Sequence, residues 1–326
     1  MDWEPGLSLP VSICLTTYNR ASVLPETIDS LLAQSFRDFE LIISDDCSKD
    51  ETEAVCRAYQ MRDSRITYYR NPENLCMPGN LIAAIKRAKG KYIANVHDGD
   101  IFRPDLIEKW KRALDEVPAA AFVFNDYESV SASGKRTLYR AHDSNRMDGK
   151  KVALHFFSTM TSCVWGTVMV RRNAYDEMGL FNPRYGFISD VDMWLRLAHG
   201  RDVAYVPEPL ITLTPRVPHN PVYFVNWRHQ FWTLGMYVEN LERYKSLLPE
   251  EIARYTKEYP NRCRILFLRD MGVCVKHKRW DLIREAFALW QDAEDSLLKL
   301  LGCCFGNKKH LPDWYDRGYW NTCSVR

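Results

Sequence analysis

The feature that most constrains the fold of this chain is an alternation of short apolar runs with segments of helical periodicity. The apolar runs are rich in β-branched residues and have no helical period, which is typical of strands buried on both faces of a sheet. We predict strands at residues 11–16, 39–44, 66–69, 92–96 and 120–124, and helices at residues 24–32, 50–59, 80–88 and 104–116. This order predicts an α/β domain with a mostly parallel sheet flanked by helices.

The pattern continues in the second half of the chain and then changes. We predict a strand at residues 167–170, a helix at 190–198 and a strand at 203–206. Residues 207–221 hold five prolines, which predicts a loop or linker. Helical patterns dominate residues 222–302. We therefore predict a catalytic domain at residues 1–220 and a mainly helical C-terminal region at residues 221–326.

The composition argues against several classes of protein. A formal net charge of +2 and the absence of a long basic run argue against a nucleic-acid partner. The ten cysteines form no Cys-x-x-Cys pair, which argues against a zinc site. The N-terminus has no basic stretch followed by an apolar stretch, and every apolar run is too short to cross a bilayer. We expect a cytoplasmic protein.

Polar residues follow four of the predicted strands. In sheets of this kind, ligands bind beyond the carboxyl ends of the strands. The polar segments that follow the strands are residues 16–20, 45–49, 70–74 and 97–100. We therefore expect these four segments to lie together and to form a binding site.

Two of these segments suggest a nucleotide. Thr16 and Tyr18 offer hydroxyl groups and an aromatic ring, which can bind a base by hydrogen bonds and stacking. The adjacent carboxylates of Asp45 and Asp46 repel each other, so each needs a donor such as a base N–H or a ribose hydroxyl. The alternatives are an ordinary strand-to-helix turn and helix capping by nearby side chains.

A third segment suggests a metal. Asp98 and Asp100 are separated by Gly99, so both carboxylates can face one hard cation such as Mg²⁺ or Mn²⁺. Gly99 leaves room for the backbone to approach a ligand. The alternative is a turn that contains an Asp-Gly step.

The order and spacing of these motifs resemble family 2 of the glycosyltransferases, which have the GT-A fold, a Rossmann-like sheet flanked by helices. The matching segments are residues 11–20 (VSICLTTYNR), 27–48, 88–94 (AKGKYIA), 98–104, 171–172, 178–181 and 190–197. The resemblance covers about residues 8–215. It implies an inverting enzyme that uses Mn²⁺ or Mg²⁺ and a nucleotide-diphosphate sugar.

The resemblance also implies roles for single residues. Residues implied to bind the nucleotide sugar are Thr16, Tyr18, Arg20, Asp45, Asp46 and Asp98. Asp98 and Asp100 match the Asp-x-Asp motif that binds the metal, and Asp190 matches the general base that takes the proton of the acceptor hydroxyl. His219 is a further candidate metal ligand, because GT-A enzymes often return a late Arg or His to the metal or diphosphate. A structural role in the proline-rich loop is the alternative for His219.

Two positions depart from the family pattern. Gly99 stands where the family usually has its principal metal ligand, and Ser189 stands where it usually has a Glu before the base. For Asp190 the alternative is helix capping, and Asp192 is the weaker base candidate because it would face away.

The acceptor is expected to be a glycan or lipid-linked glycan, in cell-surface polysaccharide synthesis. Aromatic residues of the C-terminal region are typical of a helical core. Basic residues between them suggest instead a peripheral contact with the inner face of an anionic membrane. Two other functions stay open, a nucleotidyltransferase and a non-catalytic protein that binds nucleotide sugars. The first would need a Gly-rich, basic phosphate loop, which residues 16–20 lack.

Overall fold

The structure is a computed structural model that describes residues 9–141, 144–160, 162–214 and 227–284. Its strands are β1 (Val11–Thr17), β2 (Phe39–Asp45), β3 (Ile66–Arg70), β4 (Tyr92–His97), β5 (Asp100–Phe102), β6 (Ala120–Val130), β7 (Arg136–Tyr139), β8 (Arg146–Asp148), β9 (Val168–Arg171) and β10 (Asp202–Leu213). Its α-helices are α1 (Leu24–Leu32), α2 (Thr52–Arg62), α3 (Cys76–Arg87), α4 (Leu106–Glu116), α5 (Gly149–Thr159), α6 (Arg172–Met178), α7 (Ser189–Ala198), α8 (Trp227–Tyr244) and α9 (Pro249–Lys276). A 3₁₀ helix spans Pro183–Ile188.

The strands form one central sheet in the order β3-β2-β1-β4-β9-β6-β10-β5, with β7 paired to β6 and β8 paired to β10. Strands β1 to β4 pair in parallel, as do β6 and β10. Strand β9 runs antiparallel to both of its neighbours, β4 and β6. The predicted α/β fold, with a central sheet flanked by helices, is confirmed, and the sheet is mixed in its second half.

Both faces of the sheet are covered, which explains the continuous apolar runs. Along β1, Ile13 and Leu15 pack in one hydrophobic cluster with α1 and α4, whereas Cys14 packs in the other cluster with α3 and α7. Burial on both faces requires apolar residues at successive positions and removes the alternation of an exposed strand.

The prediction of a loop at residues 207–221 was wrong for its first part. Strand β10 continues through Pro207 and Pro209 to Leu213 and pairs with β6. The register of this pair shifts between Val206 and Pro209. Since proline has no N–H to donate, it is tolerated in a strand where the ladder of hydrogen bonds is interrupted. Strands β5, β7 and β8 and helix α6 were not predicted.

Helices α8 and α9 pack onto the sheet domain. Tyr237 and Tyr244 of α8 lie in the same hydrophobic cluster as Trp194 of α7. The Tyr244 hydroxyl donates to the carbonyl of Leu195 at 2.8 Å. In the part of the chain that the structure describes, no helix is both long and apolar enough to cross a membrane. The division of the chain near residue 220 and the membrane contact of the C-terminal region stay predictions.

Candidate active site

The carboxyl ends of β1, β2 and β4 bring three of the predicted polar segments together. Thr16 lies opposite Ser44 of β2 on one side and His97 of β4 on the other. Asp45 at the end of β2 lies opposite Arg70 of β3, so the fourth segment begins beside it. The predicted convergence at one edge of the sheet is confirmed.

The loop after β1 is fastened to the loop after β2. Asn19, whose φ of 52° lies in the left-handed region, donates its N–H to Ser48 Oγ at 2.9 Å. Its side-chain oxygen accepts from the N–H of Lys49 at 2.7 Å. These bonds hold the first loop while Tyr18 and Arg20 stay exposed and Thr16 is partly exposed. The three predicted nucleotide contacts at the end of β1 and on the loop after it are therefore accessible to a ligand.

Asp45 is fully buried and is bound by the protein itself. Its carboxylate accepts from the N–H of Ser48 at 3.0 Å and from the hydroxyl of Tyr68 at 2.8 Å, and Arg70 Nε lies 3.9 Å away. These contacts hold the loop after β2 against β3. The nucleotide contact of Asp45 stays a prediction.

Asp46 is also nearly buried, and it accepts three hydrogen bonds. The donors are the side-chain amide of Asn71 at 3.2 Å and the N–H groups of Leu75 and Cys76 at 2.7 and 2.9 Å. Burial raises the pKa of Asp46, and the three donors oppose that rise. Asp46 thus anchors the segment between β3 and α3, and its contact with a base stays a prediction.

The role of Asn80 in joining α3 to β2 was not predicted. It lies on α3, where it is buried, and its amide donates to the Ser44 carbonyl at 2.9 Å while its side-chain oxygen accepts from Ser44 Oγ at 2.7 Å. The same oxygen accepts from Asn71 at 2.9 Å. The only sequence signal was a polar residue at the start of an apolar helical pattern.

The acidic cluster after β4 turns sharply at Gly99. Its φ of 80° lies in the left-handed region, which favours glycine. Thr27 Oγ1 accepts from the Gly99 N–H at 3.0 Å and donates to the Asp100 carbonyl at 3.0 Å. The Thr214 hydroxyl donates to the Gly99 carbonyl at 2.5 Å. The backbone of the turn is therefore held on both sides.

The two carboxylates of this cluster differ in access. The side chain of Asp98 keeps 18% of its surface exposed, and Arg20 Nε lies 3.8 Å from its Oδ1. Asp100 begins β5 opposite Leu213 and has no exposed surface. Among the described residues, no group of three or more His, Cys, Asp or Glu side chains is arranged to hold a metal ion. Predicted ligand His219 lies outside the described residues.

Two carboxylates suffice for a cation that is also held by a diphosphate, since Mg²⁺ usually binds one or two carboxylates and completes its shell with substrate phosphates and waters. The partly exposed carboxylate of Asp98 therefore fits a metal ion that a substrate diphosphate also binds. Asp100, with no exposed surface, would need to become accessible to serve as the second ligand.

Asp190 lies in the first turn of α7, where the chain leaves the 3₁₀ helix. Its Oδ1 accepts from the N–H of Val191 at 2.7 Å. The side chain is partly exposed, and the protein atoms around it desolvate the carboxylate and raise its pKa to about 6. A pKa near neutrality suits a general base.

Asp192, the weaker base candidate, has a different environment. It is buried, and its two oxygens accept from Arg196 Nε at 2.8 Å and from the Asn240 amide at 3.0 Å. Asp192 therefore joins α7 to α8, as expected for a side chain that faces away from the site.

Gly166 connects the base to the acidic cluster. An ideal Cβ atom on Gly166 would lie 2.8 Å from His97 Cε1 and 3.7 Å from Asp190 Oδ2. The imidazole of His97, the residue before Asp98, and the carboxylate of Asp190 therefore both lie near the Cβ position of one glycine. This juxtaposition was not predicted, because it depends on how the loop before β9 packs across β4 and α7.

Comparison with known proteins finds a sequence family and several relatives. Residues 12–179 match the sequence model of glycosyl transferase family 2. An uncharacterized glycosyltransferase of Rickettsia prowazekii is 27% identical over 250 residues, which are 76% of this chain and 73% of the relative. A putative teichuronic acid biosynthesis glycosyltransferase of Bacillus subtilis, TuaG, is 28% identical over 207 residues, which are 63% of this chain and 76% of TuaG.

Solved structures show the same fold. The crystal structure of S. aureus TarS 1-349 in complex with UDP superposes with a TM-score of 0.56 at 16% identity, over 87% of this chain and 92% of TarS 1-349. The complex of TarS 1-349 with UDP-GlcNAc gives the same TM-score. At this identity the likeness establishes the GT-A fold.

Proposed function

Since the chain belongs to glycosyl transferase family 2, we propose that it is an inverting, metal-dependent enzyme of the hexosyltransferase type. The donor is a nucleotide-diphosphate sugar, and the complexes of TarS with UDP and UDP-GlcNAc make UDP-sugars the first donors to test. The acceptor is a glycan or lipid-linked glycan in cell-surface polysaccharide synthesis, which the relative TuaG supports. Family membership weighs against the nucleotidyltransferase.

The observation that carries this proposal is the meeting of two groups at Gly166. Asp190, with a pKa of about 6, lies near the Cβ position of this glycine. His97, which leads directly into Asp98, lies near the same position. A carboxylate that can accept a proton is thus adjacent to the edge of the sheet where GT-A enzymes bind their donor.

The reaction is a single displacement. Above its pKa, Asp190 is charged and takes the proton of the acceptor hydroxyl as that oxygen attacks the anomeric carbon of the donor. The bond between the anomeric carbon and the diphosphate oxygen breaks, and its electron pair leaves with the nucleotide. One displacement on the face opposite the leaving group inverts the anomeric centre.

The leaving diphosphate gains negative charge that the site must offset. Asp98, with Asp100 and His219 as further candidates, would hold Mn²⁺ or Mg²⁺, which supplies charge neutralisation when bound. In this proposal the exposed guanidinium of Arg20, 3.8 Å from Asp98, contacts a phosphate oxygen. Thr16 and Tyr18 face the nucleoside from the neighbouring loop.

The test compares two carboxylate-to-amide variants on a panel of UDP-sugars with Mn²⁺, measured as sugar transfer to purified cell-envelope glycans and as release of UDP. We expect Asp190→Asn to lose at least about a thousandfold in rate while it still binds UDP. Asp38→Asn, which changes an exposed carboxylate before β2, is the matched control and should act as wild type.

Wild-type turnover would reject the remaining alternative, a non-catalytic protein that binds nucleotide sugars. Binding of UDP-sugars by the wild type with no release of UDP on any donor would support that alternative instead. Near-normal turnover by Asp190→Asn would remove Asp190 as the base.

A further inference from the structure

Three aromatic side chains form a row that the proposed reaction does not use. Tyr127 of β6 stacks on Tyr139 of β7, with ring centroids 4.7 Å apart and an angle of 11° between the rings. Tyr127 also contacts Trp165, with centroids 5.4 Å apart and an angle of 38°. We call Tyr139, Tyr127 and Trp165 the aromatic row. Tyr139 is 46% exposed, and the other two rings are partly exposed.

The aromatic row ends at the residue that precedes Gly166. Trp165 is the residue before Gly166, and the ideal Cβ position of Gly166 is 3.7 Å from Asp190 Oδ2. The row therefore runs from the exposed ring of Tyr139, through Tyr127, to the backbone that flanks the carboxylate of Asp190.

The same row lies close to the acidic cluster. In the sheet, Tyr127 pairs with Ile211 of β10, and Ile211 pairs with Phe102 of β5, the strand that begins at Asp100. Tyr127 is thus two strands away from the strand that begins at Asp100.

Strand pairing and side-chain contacts hold the part of the aromatic row that lies on β6 and β7. Strand β7 pairs with β6 from Arg136 to Tyr139. The chain just after β7 is held by buried Asp126, which lies 3.7 Å from Arg140 Nε and accepts the N–H of Ala141 at 3.4 Å. Asp126 also accepts the hydroxyl of Tyr205. Rings held in this way lose little conformational freedom on binding.

We propose that the aromatic row is the binding site for the acceptor saccharide, and that it takes a chain of at least two sugar units with the reacting hydroxyl at Trp165. A pyranose has C–H groups on its faces and hydroxyls around its rim. The C–H faces carry partial positive charge and pack against an electron-rich ring face that is open to solvent, here the face of Tyr139 that Tyr127 does not cover, while the rim stays hydrated. This inference rests on the proposed function, because it assigns the second substrate of the same site.

The ligand test is saturation-transfer NMR with four disaccharides, cellobiose, N,N′-diacetylchitobiose, lactose and maltose. We expect at least one of them to receive saturation on its ring C–H protons from the wild type. We expect Tyr139→Ala to weaken that binding about five- to tenfold, because one ring of the stack is lost. Tyr139→Phe keeps the ring and should retain the affinity.

The matched control is Tyr69→Ala. Tyr69 is 37% exposed on β3, at the other edge of the sheet, so its loss removes a comparable exposed ring far from the row. The proposal is overturned if none of the four disaccharides binds, if Tyr139→Ala binds as well as wild type, or if Tyr69→Ala weakens binding equally.

Failure of the proposed function would show separately. Binding of UDP and release of UDP from donors are measured on the wild type without any saccharide. A wild type that neither binds UDP nor releases it removes the proposed reaction, whereas the NMR result decides the saccharide site.

Discussion

The imidazole of His97 and the carboxylate of Asp190 meet at Gly166, whose ideal Cβ would be 2.8 Å from His97 Cε1 and 3.7 Å from Asp190 Oδ2. His97 ends the strand that leads to the acidic cluster, and Asp190 begins the helix that carries the base. The donor and acceptor sides of the proposed site are therefore in contact through a position where a larger residue does not fit.

Gly166→Ala should lower kcat about tenfold to a hundredfold with a smaller change in the KM for the donor. The added methyl group must displace the His97 ring or the loop, and small displacements near reacting groups have effects of this size. Steady-state kinetics with a UDP-sugar measure both constants.

A second change tests whether the clash with His97 is the cause. His97→Ala removes the ring atom at 2.8 Å, so the double variant with Gly166→Ala should regain part of the lost kcat. Gly272→Ala is the control, because the ideal Cβ of Gly272 on α9 has no atom within 4 Å. No recovery in the double variant would contradict the steric explanation.

The pH dependence of the reaction should report Asp190. Burial raises the pKa of its carboxyl to about 6, so the charged form that accepts a proton is lost as the pH falls below that value. We expect kcat/KM to fall about tenfold per pH unit below pH 6 and to level off above it. A profile that stays flat down to pH 5 would argue against Asp190 as the base.

The same carboxylate should lower the stability of the fold at neutral pH. Its pKa of about 6 in the folded protein lies above the ordinary value of 3.8, so the folded state binds this proton more tightly than the unfolded state does. Stability is therefore lost as the pH rises from about 4 to 6. Asp190→Asn removes the desolvated charge and should stabilise the protein at pH 8 by up to about 3 kcal/mol.

Thermal unfolding at pH 8 and pH 4.5 checks this expectation. The rise in Tm produced by Asp190→Asn should be several degrees at pH 8 and should shrink at pH 4.5. Asp38→Asn serves as the control at both pH values. An equal effect of Asp190→Asn at the two pH values would show that its charge is not the cause.

Asp192→Asn should lower the stability of the fold, in contrast to Asp190→Asn, although Asp192 lies only two residues from Asp190. Asp192 is buried and holds Arg196 at 2.8 Å and Asn240 at 3.0 Å, so its loss leaves a buried guanidinium without its charged partner. We expect a loss of about 3 kcal/mol in the free energy of unfolding, measured by urea titration. Unchanged stability would mean that this ion pair contributes little.

The metal contact of Asp98 is tested by the coupling between metal and nucleotide. UDP with Mn²⁺ should raise the Tm of the wild type more than UDP with EDTA, because a shared cation joins the diphosphate to the carboxylate. In Asp98→Asn this difference should largely disappear, whereas Asp38→Asn should keep it. If EDTA has no effect on UDP binding or turnover in the wild type, the enzyme does not need a metal.

The bounds of several helices and strands could be predicted from the sequence, because they depend on residues that are neighbours in the chain. Helix α1 spans the predicted residues 24–32, and strands β1, β2 and β4 begin where they were predicted. Their periodicity is local, and parallel strands end at a common edge, so the meeting of Thr16, Ser44 and His97 followed.

Which polar side chains are hydrogen-bonded by the protein itself, and which stay open to a ligand, depends on the packing of the whole fold. Asp45 and Asp46 were predicted to need donors, and the fold supplies them from Tyr68 and from the backbone after β3. The closeness of Gly166 to Asp190 arises because β9 runs antiparallel beside β4, which no local pattern indicates. Contacts between residues distant in the chain depend on how whole elements pack, and a linear pattern carries little information about that packing.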